Sequence, residues 1–400
     1  MSKIKQTNEG KKKEEKNFGF FFQISAAIAF RAISISYSQY FEERVEFNSP
    51  FYSFNHLNDG VALLDDGFDP YSTNKFNMPP TSLYFLFFLK KYVPNLIPFI
   101  WIFMDISTAL LLGKSGAGSL PFLIYAFNPV SIISCGIFSL TVPQSLLISL
   151  LFLTYKNDYS KICAILIGFW SSFTLYPFIL ISTLVFLPKR QFALLASLAV
   201  FSFCVTNLLN FALNGFSWNF LEAIYSVILD FTNIQPNVGL HWYFFVQVFE
   251  HFRIFYTMSF IILYFFIPIP LSLIVRGDRN MHFIATLLVV SAFFPYPTLN
   301  QATVCFALMP ILKEYKQYFR YTLLVPATLV TSIALMPVMW HMWIVSSSGN
   351  ANFFFGATLT YNIALIYLIM DLIFVYARRQ VDLIHGNSIK KQAKFGYSFY

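Results

Sequence analysis

The chain alternates between long apolar runs and short polar connections from residue 18 to about residue 376. The first apolar run, Phe18 to about Tyr37, is long enough to cross a bilayer as a helix. The repeated pattern predicts an all-α polytopic membrane protein with roughly 10–12 transmembrane helices. Several runs are only about twelve residues long, and we expect these to be short or re-entrant helices. The later candidate spans are 95–112, 119–134, 143–154, 161–176, 177–188, 191–213, 252–275, 281–295, 302–313, 321–345 and 357–376.

Basic residues cluster in alternate connections of this predicted topology. By the positive-inside rule, both termini are predicted to be cytosolic, with a disordered tail over 1–17, a membrane domain over 18–376 and a basic tail over 377–400. The first run shows no small-residue cleavage site, so we expect it to remain as a helix. The clusters are Lys156 and Lys161, Lys189-Arg190, Arg276 and Arg279, Lys313 to Arg320, and Arg378-Arg379.

Composition supports the membrane assignment and excludes several function classes. The chain is 57% hydrophobic and only 12% charged, about half the charge of a soluble domain. Its net charge of +8 comes from the short connecting clusters, so it does not indicate nucleic-acid binding. The four cysteines lie inside apolar segments without paired spacing, so no disulfide framework, metal site or cofactor is predicted.

Three connections are predicted to be lumenal loops, namely 38–94, 214–251 and 346–356. The last two contain no Lys or Arg, whereas Lys75 and Lys90-Lys91 in the first are exceptions to the pattern. Within the first, Pro80–Leu89 is too short to span and predicts a helix lying along the membrane surface. Within the second, Trp218–Asp230 has helical periodicity and predicts an amphipathic helix at the headgroup level.

The stretch Pro236–Phe252, P-N-V-G-L-H-W-Y-F-F-V-Q-V-F-E-H-F, closely resembles the U subunit family of the GPI transamidase complex. Other motifs match in the same order over roughly residues 18 to 386. They are E-R-V-E at 43–46, L-L-D-D-G-F-D-P-Y-S at 63–72, F-N-P at 127–129, L-Y-P at 175–177, Y-P-T at 296–298 and N-F-F-F-G-A-T-L-T-Y-N at 352–362.

This resemblance implies a non-catalytic subunit in the endoplasmic reticulum membrane that binds the GPI lipid, and possibly the C-terminal signal peptide, during anchor attachment. The implied partners are a caspase-like catalytic subunit, accessory K, S, T and GAA1-type subunits, the GPI glycolipid and membrane phospholipid. The transamidation chemistry would then belong to a cysteine on another subunit. The resemblance also extends to the GPI mannosyltransferases through Gly67–Thr81, which implies a GT-C glycosyltransferase-like scaffold.

The connection Ser346–Phe355 is the first candidate binding segment. Asn350 and Asn352 are two residues apart and would point the same way in an extended loop. Carboxamides both donate and accept, which suits sugar hydroxyls and phosphate oxygens, while Phe353 to Phe355 would dip into the bilayer beside acyl chains. The resemblance implies that these asparagines contact the glycolipid. A polar turn is the simpler alternative, because Ser-Gly-Asn composition favours turns.

The last part of the second predicted lumenal loop, residues 236–251, supplies the other candidates, which are Asn237, Trp242, Tyr243 and His251. Pro236 and Gly239 mark a turn, and the aromatic residues after it are typical of re-entry into a bilayer. The alternative is an aromatic belt without ligand contact. For His251, the alternative is an ordinary hydrogen-bonding role.

No catalytic constellation is predicted. Lipid-dependent glycosyltransferases place two carboxylates just after the first helix, whereas this chain offers Glu43 and Glu46 with Arg44 between them. We expect Glu43 and Arg44 to form a salt-bridged cap on the first helix. A lipid-linked mannosyltransferase, which would need Glu43 or Glu46, and a purely structural scaffold remain the rival hypotheses.

Three charges inside apolar runs need partners, because an unpaired charge in a bilayer is costly. Arg31 is predicted to reach the lumenal interface or to pair inside the bundle. Asp105 and Asp371 are interpreted as structural, with Asp371 within reach of Arg378 or Arg379.

Overall fold

A computed structural model describes residues 2–72, 75–187, 191–231 and 234–386. Every regular element in these residues is helical, which confirms the all-α prediction. The α-helices are α1 Ser2–Ser36, α2 Phe54–Asp65, α3 Pro80–Tyr92, α4 Ile97–Gly113, α5 Leu120–Ala126, α6 Pro129–Gly136, α7 Thr141–Lys156, α8 Ser160–Thr174, α9 Phe192–Leu213, α10 Asn219–Leu221, α11 Val227–Asp230, α12 His241–Gln247, α13 Glu250–Phe266, α14 Pro268–Ile274, α15 Arg279–Phe293, α16 Thr303–Leu308, α17 Leu324–Trp340 and α18 Ala351–His385.

Shorter helical segments join or extend these helices. Five are 3-10 helices, and two are π-helices that continue α10 and α17. The 3-10 helices are Ser38–Tyr40, Pro94–Leu96, Tyr176–Phe186, Leu299–Ala302 and Met309–Tyr318, and the π-helices are Glu222–Ser226 and His341–Val345.

Six helical segments of the described chain are long and apolar enough to cross a membrane, so this is a multi-pass membrane protein. Others, such as α8 and α15, are apolar but shorter, as expected for the brief runs in the sequence. The six segments are Gly19–Ser36, Pro94–Gly113, Phe192–Leu213, Glu250–Ile274, Leu324–Val345 and Ala351–Ile384. The total of ten to twelve spans, the GT-C-like scaffold and the predicted sidedness stay predictions.

Prolines divide two of the predicted continuous spans. Span 119–134 separates into α5 and α6 at Asn128-Pro129, where the Asn128 side chain accepts from the Val130 N–H at 2.9 Å and caps α6. Span 252–275 passes from α13 to α14 at Pro268, the first residue of α14. Proline lacks an N–H and its ring clashes with the preceding turn, so each helix restarts at the proline.

The first helix is longer than the apolar pattern predicts. α1 begins at Ser2 and runs through residues for which the composition predicts a disordered tail. Lys, Glu and Gln are good helix formers. Because the apolar segment that follows them already forms a helix, the charged stretch can extend that helix without a new nucleation step. Residues 387–400, most of the predicted basic tail, lie outside the described residues.

An ion pair lies fully buried between α1 and α4. Arg31 Nε contacts Asp105 Oδ2 at 2.5 Å, and both side chains are inaccessible to solvent. Arg31 Nη1 also donates to the Ala27 and Ala126 carbonyls at 3.0 and 2.9 Å, while the Tyr125 hydroxyl donates to Asp105 Oδ1 at 2.6 Å. This confirms pairing inside the bundle, which is how charges are accommodated at membrane depth.

Charged side chains tie the helix termini together at one end of the molecule, which we call the basic end. Arg279 at the start of α15 pairs with Asp158 and donates to the Lys156 carbonyl at 2.9 Å. Late in α18, Arg379 pairs with Glu314 and donates to the Tyr315 hydroxyl. The Tyr315 hydroxyl also donates to Asp278 Oδ2 at 2.9 Å, so the basic clusters near residues 156, 279, 314 and 379 meet in space, while Lys189-Arg190 lies outside the described residues.

The predicted partner of Asp371 is wrong. Its carboxylate accepts from the backbone N–H groups of Arg320 and Tyr321, both at 3.3 Å, whereas Arg378 lies 4.0 Å from Asp382. Free backbone N–H groups after the 3-10 helix that ends at Tyr318 offer a partner directly beside Asp371.

The connections at the opposite end pack on one another through neutral hydrogen bonds, and we call this the carboxamide end. The Leu299 N–H donates to the Glu46 carbonyl at 3.0 Å, and the Asn300 amide donates to the Thr141 hydroxyl at 2.8 Å. The Asn77 amide donates to the Ala223 carbonyl at 2.7 Å. Thus segments far apart in sequence form one layer over the helix ends.

The predicted helices of this end are present. α3 extends the predicted Pro80–Leu89 helix to Tyr92. Asn219–Asp230 is helical with a π turn in its middle, and its buried face carries Phe220, Ile224 and Ile228. Leu221 and Tyr225, which the helical periodicity of this stretch aligns with Ile224 and Ile228, are half-buried at its edge.

Candidate functional site

Aromatic rings join α12 to the start of α18 at the carboxamide end. Tyr243 stacks on Phe355 with ring centroids 4.4 Å apart, and Trp242 stacks on Trp343 at 6.2 Å. Phe354, fully buried, lies 6.0 Å from Trp242. We call these five residues the aromatic cluster. Offset and edge-to-face pairs of this kind stabilise packing beyond the area they bury, so the cluster fixes α12 against α18.

The two predicted asparagines lie at the rim of this cluster, and both are exposed. Asn350 is the N-cap of α18, and its Oδ1 accepts from the Asn352 N–H at 3.0 Å. The Tyr243 hydroxyl donates to Asn352 Oδ1. The expectation of an extended loop through both residues is wrong, because Asn350 is an efficient cap and starts the helix at Ala351.

The side-chain amide N–H groups of Asn350 and Asn352 make no hydrogen bond to any described residue, so both asparagines present donors outward. Beside them Phe353 is 51% exposed, whereas Phe354 is buried and Phe355 is covered by Tyr243. Of the three phenylalanines expected to face acyl chains, only Phe353 is open. The rim thus combines carboxamide donors with one apolar side chain.

Trp242 is 3% exposed, and its indole N–H has no partner among the described residues. A buried donor without a partner is uncommon in folded proteins. This donor lies inside the aromatic cluster, adjacent to the asparagine rim.

Two further asparagines hold the loop 234–240 in place. Asn237 is buried, its amide donates to the Gln235 and Pro295 carbonyls, and its Oδ1 accepts from the Gly239 N–H at 2.7 Å. Asn362 on α18 donates to the Val238 carbonyl at 2.6 Å. Both amide hydrogens of Asn237 are used, so the structure places it as a positioning residue. The role of Asn362 was missed, although it lies in the motif 352–362.

His251 stands apart from the aromatic cluster. It is exposed at the start of α13, with ring contacts to Phe249 and Phe252 and none to Trp242 or Tyr243. The buried histidine of this region is His241, which sequence reasoning missed. It stacks on Phe231 at 5.3 Å, and burial lowers its pKa to about 4. Only its place within H-W-Y-F-F signals burial.

The two glutamates of E-R-V-E are not presented together. Glu43 is exposed, whereas Glu46 is 2% exposed with both carboxylate oxygens unpartnered among the described residues. Burial raises the pKa of Glu46, since desolvation disfavours its charged form. The expected Glu43–Arg44 ion pair does not form, because the chain turns after the 3-10 helix Ser38–Tyr40 instead of extending α1.

The described residues contain no group of three or more His, Cys, Asp or Glu side chains placed to hold a metal ion. The cysteines Cys135, Cys163 and Cys305 are buried, and Cys204 is exposed on α9.

Comparison with known proteins gives the family. The family model described as GPI transamidase subunit PIG-U matches residues 23–361, which include the loop 234–240, the aromatic cluster and both rim asparagines. The chain belongs to the PIG-U family. It is similar to the human GPI-anchor transamidase component PIGU, 29% identical over 402 residues, which covers 88% of this chain and 91% of the human protein.

Two yeast relatives of the PIG-U family agree. The Saccharomyces cerevisiae GPI transamidase component GAB1 is 28% identical over 371 residues, covering 90% of this chain and 94% of that protein. The Schizosaccharomyces pombe GAB1 homolog is 26% identical over 374 residues, covering 84% and 87%. The family recognised from the sequence motifs is therefore confirmed over nearly the whole chain.

Proposed function

We propose that this chain is a non-catalytic membrane subunit of a GPI transamidase in the endoplasmic reticulum, and that its asparagine rim holds the GPI lipid. Both termini would be cytosolic, which places the carboxamide end in the lumen. The caspase-like catalytic subunit, the accessory K, S, T and GAA1-type subunits and surrounding phospholipid would be its partners.

The Tyr243–Asn352 hydrogen bond is the observation that carries the ligand proposal. It joins α12 to the first turn of α18, so that the outward amides of Asn350 and Asn352 lie beside exposed Phe353. Amide donors suit the hydroxyls and phosphate oxygens of a glycan headgroup, and Phe353 suits an acyl chain. The indole N–H of Trp242 supplies a further donor at the same place. His251 would act only at the periphery.

The test is anchor attachment to a reporter protein in cells that lack this subunit. Rescue by N350A/N352A is expected to fall at least tenfold, because two donors to the headgroup are removed together. Asn95→Ala is the matched control, since Asn95 is also exposed but lies in the 3-10 helix Pro94–Leu96, which precedes α4. Co-purification with the other subunits reports assembly.

Full rescue by N350A/N352A, with normal assembly, would favour the scaffold hypothesis. A photoreactive residue in place of Phe353 distinguishes binding of the GPI lipid from binding of the C-terminal signal peptide. We expect it to label radioactive GPI. Labelling of the C-terminal signal peptide in its place would redirect the proposal to peptide recognition.

The mannosyltransferase rival is tested at Glu46. Burial raises the pKa of Glu46, which favours its uncharged form, and Gln is an uncharged side chain of the same shape. Glu46→Gln is therefore expected to rescue attachment fully. Accumulation of an under-mannosylated GPI precursor in E46Q or E43Q cells would instead establish the enzyme hypothesis.

A further inference from the structure

A cavity of about 400 Å³ lies between α3, α4, α7 and α8, away from the asparagine rim. Its volume is within the range of small-molecule sites. We call it the lateral cavity. Its lining residues are Phe51, Tyr52, Asn77, Met78, Pro79, Thr81, Ser82, Phe85, Trp101, Met104, Leu140, Pro143, Gln144, Leu146, Leu147, Leu150, Phe169, Trp170, Phe173 and Thr174.

The mouth of the lateral cavity faces the lipid side of the bundle. Phe85, Leu150 and Phe169 line it and are 45%, 37% and 36% exposed, whereas Trp101 and Trp170 at its inner wall are buried. Phe169 continues an exposed apolar stripe on α8 with Ile162 and Ile165, next to the candidate span α9. Leu150 lies nine residues beyond Thr141 on α7, about 14 Å from the carboxamide end, which is hydrocarbon depth.

The inner wall carries polar atoms without partners. The atoms Gln144 Oε1 and Thr81 Oγ1 are buried and have no hydrogen bond to a described residue, and the only recorded side-chain hydrogen bond of Gln144 among the described residues is with the hydroxyl of Tyr52, which also lines the cavity. Buried polar atoms are normally paired, so two orphans in one apolar cavity indicate a missing hydrogen-bonding group. The remaining lining is mainly aromatic and aliphatic, with rings contributed by residues 51–52, α3, α4 and α8.

Charge limits the identity of the occupant. Among the described residues, no side chain that lines the lateral cavity is charged. An anionic phosphate headgroup placed there would be desolvated without a counter-charge, which costs several kcal/mol or more. The polar group of the occupant is therefore neutral. A hydroxyl fits best, because it both donates and accepts and so satisfies an amide oxygen and a threonine hydroxyl.

Size excludes a helical peptide. An α-helix with side chains is about 10 Å wide, so a cavity of 400 Å³ would hold only about one turn of it. A single acyl chain or the ring system of a sterol is narrower and enters sideways from the bilayer.

We propose that the lateral cavity binds a neutral, hydroxyl-bearing membrane lipid, with its hydroxyl at Gln144 and Thr81 and its apolar body against Met104, Leu147 and Phe173. This site is separate from the asparagine rim and does not depend on the proposed function. Sterols and monoacylglycerols share the required chemistry, so both serve as probes.

The experiment uses the full-length protein, purified in detergent within its complex, and three photoactivatable alkyne lipids. They are a cholesterol analogue, a monoacylglycerol and a phosphatidylcholine. At least one hydroxyl lipid is expected to label peptides from α3, α7 or α8 saturably, in competition with its unlabelled form, and phosphatidylcholine at least tenfold less. Labelling by cholesterol or by monoacylglycerol alone identifies the source.

Two variants test the geometry. Leu147→Trp fills the cavity and is expected to reduce labelling at least tenfold, whereas the matched Leu208→Trp, at an exposed position of α9, leaves it unchanged. Gln144→Leu keeps the volume but removes the polar partner, and it is expected to weaken binding of the hydroxyl lipid about fivefold. It also keeps the test decisive if Leu147→Trp does not fold.

Equal labelling of Leu147→Trp and the unaltered protein would overturn the proposal. So would labelling that does not saturate, that maps outside α3, α4, α7 and α8, or that is as strong with phosphatidylcholine as with both hydroxyl lipids.

Discussion

The two ends of the molecule are stabilised by different chemistry. At the basic end, charged side chains such as Arg279 and Arg379 are already paired with Asp158 and Glu314 of neighbouring segments. At the carboxamide end, neutral amides and aromatic rings hold the connections together, and two amides at the surface remain available. The contrast teaches that charged side chains at the basic end are used in contacts within the protein, whereas the carboxamide end keeps amide donors exposed at its surface.

The largest expected effect comes from the ion pair between the ends. Arg31→Met leaves Asp105 buried without its counter-charge, so the free energy of unfolding should fall by about 3–5 kcal/mol. Thermal melting of the purified protein measures this. The double variant Arg31→Met/Asp105→Leu removes both charges and should regain most of the loss. If the double variant is as unstable as the single one, the pair is not the cause.

Asn362→Leu tests the neutral bonds of the carboxamide end. The substitution removes the amide that donates to the Val238 and Thr358 carbonyls. The Val238 carbonyl then loses its bond to Asn362, so we expect the free energy of unfolding to fall by about 2–3 kcal/mol. The exposed Asn219→Leu is the control and should change melting little. A melting temperature unaffected by Asn362→Leu would mean that the loop 234–240 is held in another way.

His241 makes the carboxamide end sensitive to acid. The unfolded chain binds a proton at His241 below pH 6.5, whereas the folded protein does so only near pH 4. Its contribution to stability is therefore complete above pH 6.5 and is lost as the pH falls towards 4. Between pH 7 and 5 the loss should be about 2 kcal/mol. Melting at both pH values should show a smaller difference for His241→Phe. An unchanged difference would contradict the assignment.

The smallest effect is expected at the basic end. Arg279→Ala breaks a half-exposed ion pair with Asp158, which is worth less than about 1 kcal/mol and is screened by salt. Melting curves of the variant and the unaltered protein should converge in high salt. A loss comparable to that of Asn362→Leu would show that the two ends are more alike than their contacts indicate.

Much of the fold follows from local sequence signals. Apolar runs predicted the all-helical architecture, and the short run Pro80–Leu89 and the periodic stretch 218–230 predicted two helices of the carboxamide end. These signals are local, because helix formation depends on neighbours three and four residues away. The helix breaks at Pro129 and Pro268 also have a local signal, the proline itself. They were not predicted because each proline lies within a long apolar run.

Tertiary partners were harder to predict. The Arg31–Asp105 pair joins residues 74 positions apart, and only the cost of buried charge indicated that a partner must exist. Asp371 was assigned to nearby arginines, whereas the folded chain brings a free backbone terminus closer. Sequence proximity favours pairs on one helix and gives no weight to backbone donors.

The candidate site was predicted in part. Asn350, Asn352, Phe353, Trp242 and Tyr243 were chosen from motif resemblance, and the structure brings them together across more than one hundred residues. It does not bring His251 there, and it gives Asn237 a supporting place. The lateral cavity had no sequence signal, because its lining comes from separate segments whose residues are ordinary apolar types.

α18 connects the two ends as one continuous helix from Ala351 to His385, without a proline. At 1.5 Å per residue it is about 52 Å long, well beyond the 30 Å of hydrocarbon in a bilayer. Such a helix behaves as a stiff rod that carries Asn352 near one tip and Arg379 near the other. Because the helix is continuous, a change in its tilt at Asn352 also displaces Arg379 at the basic end.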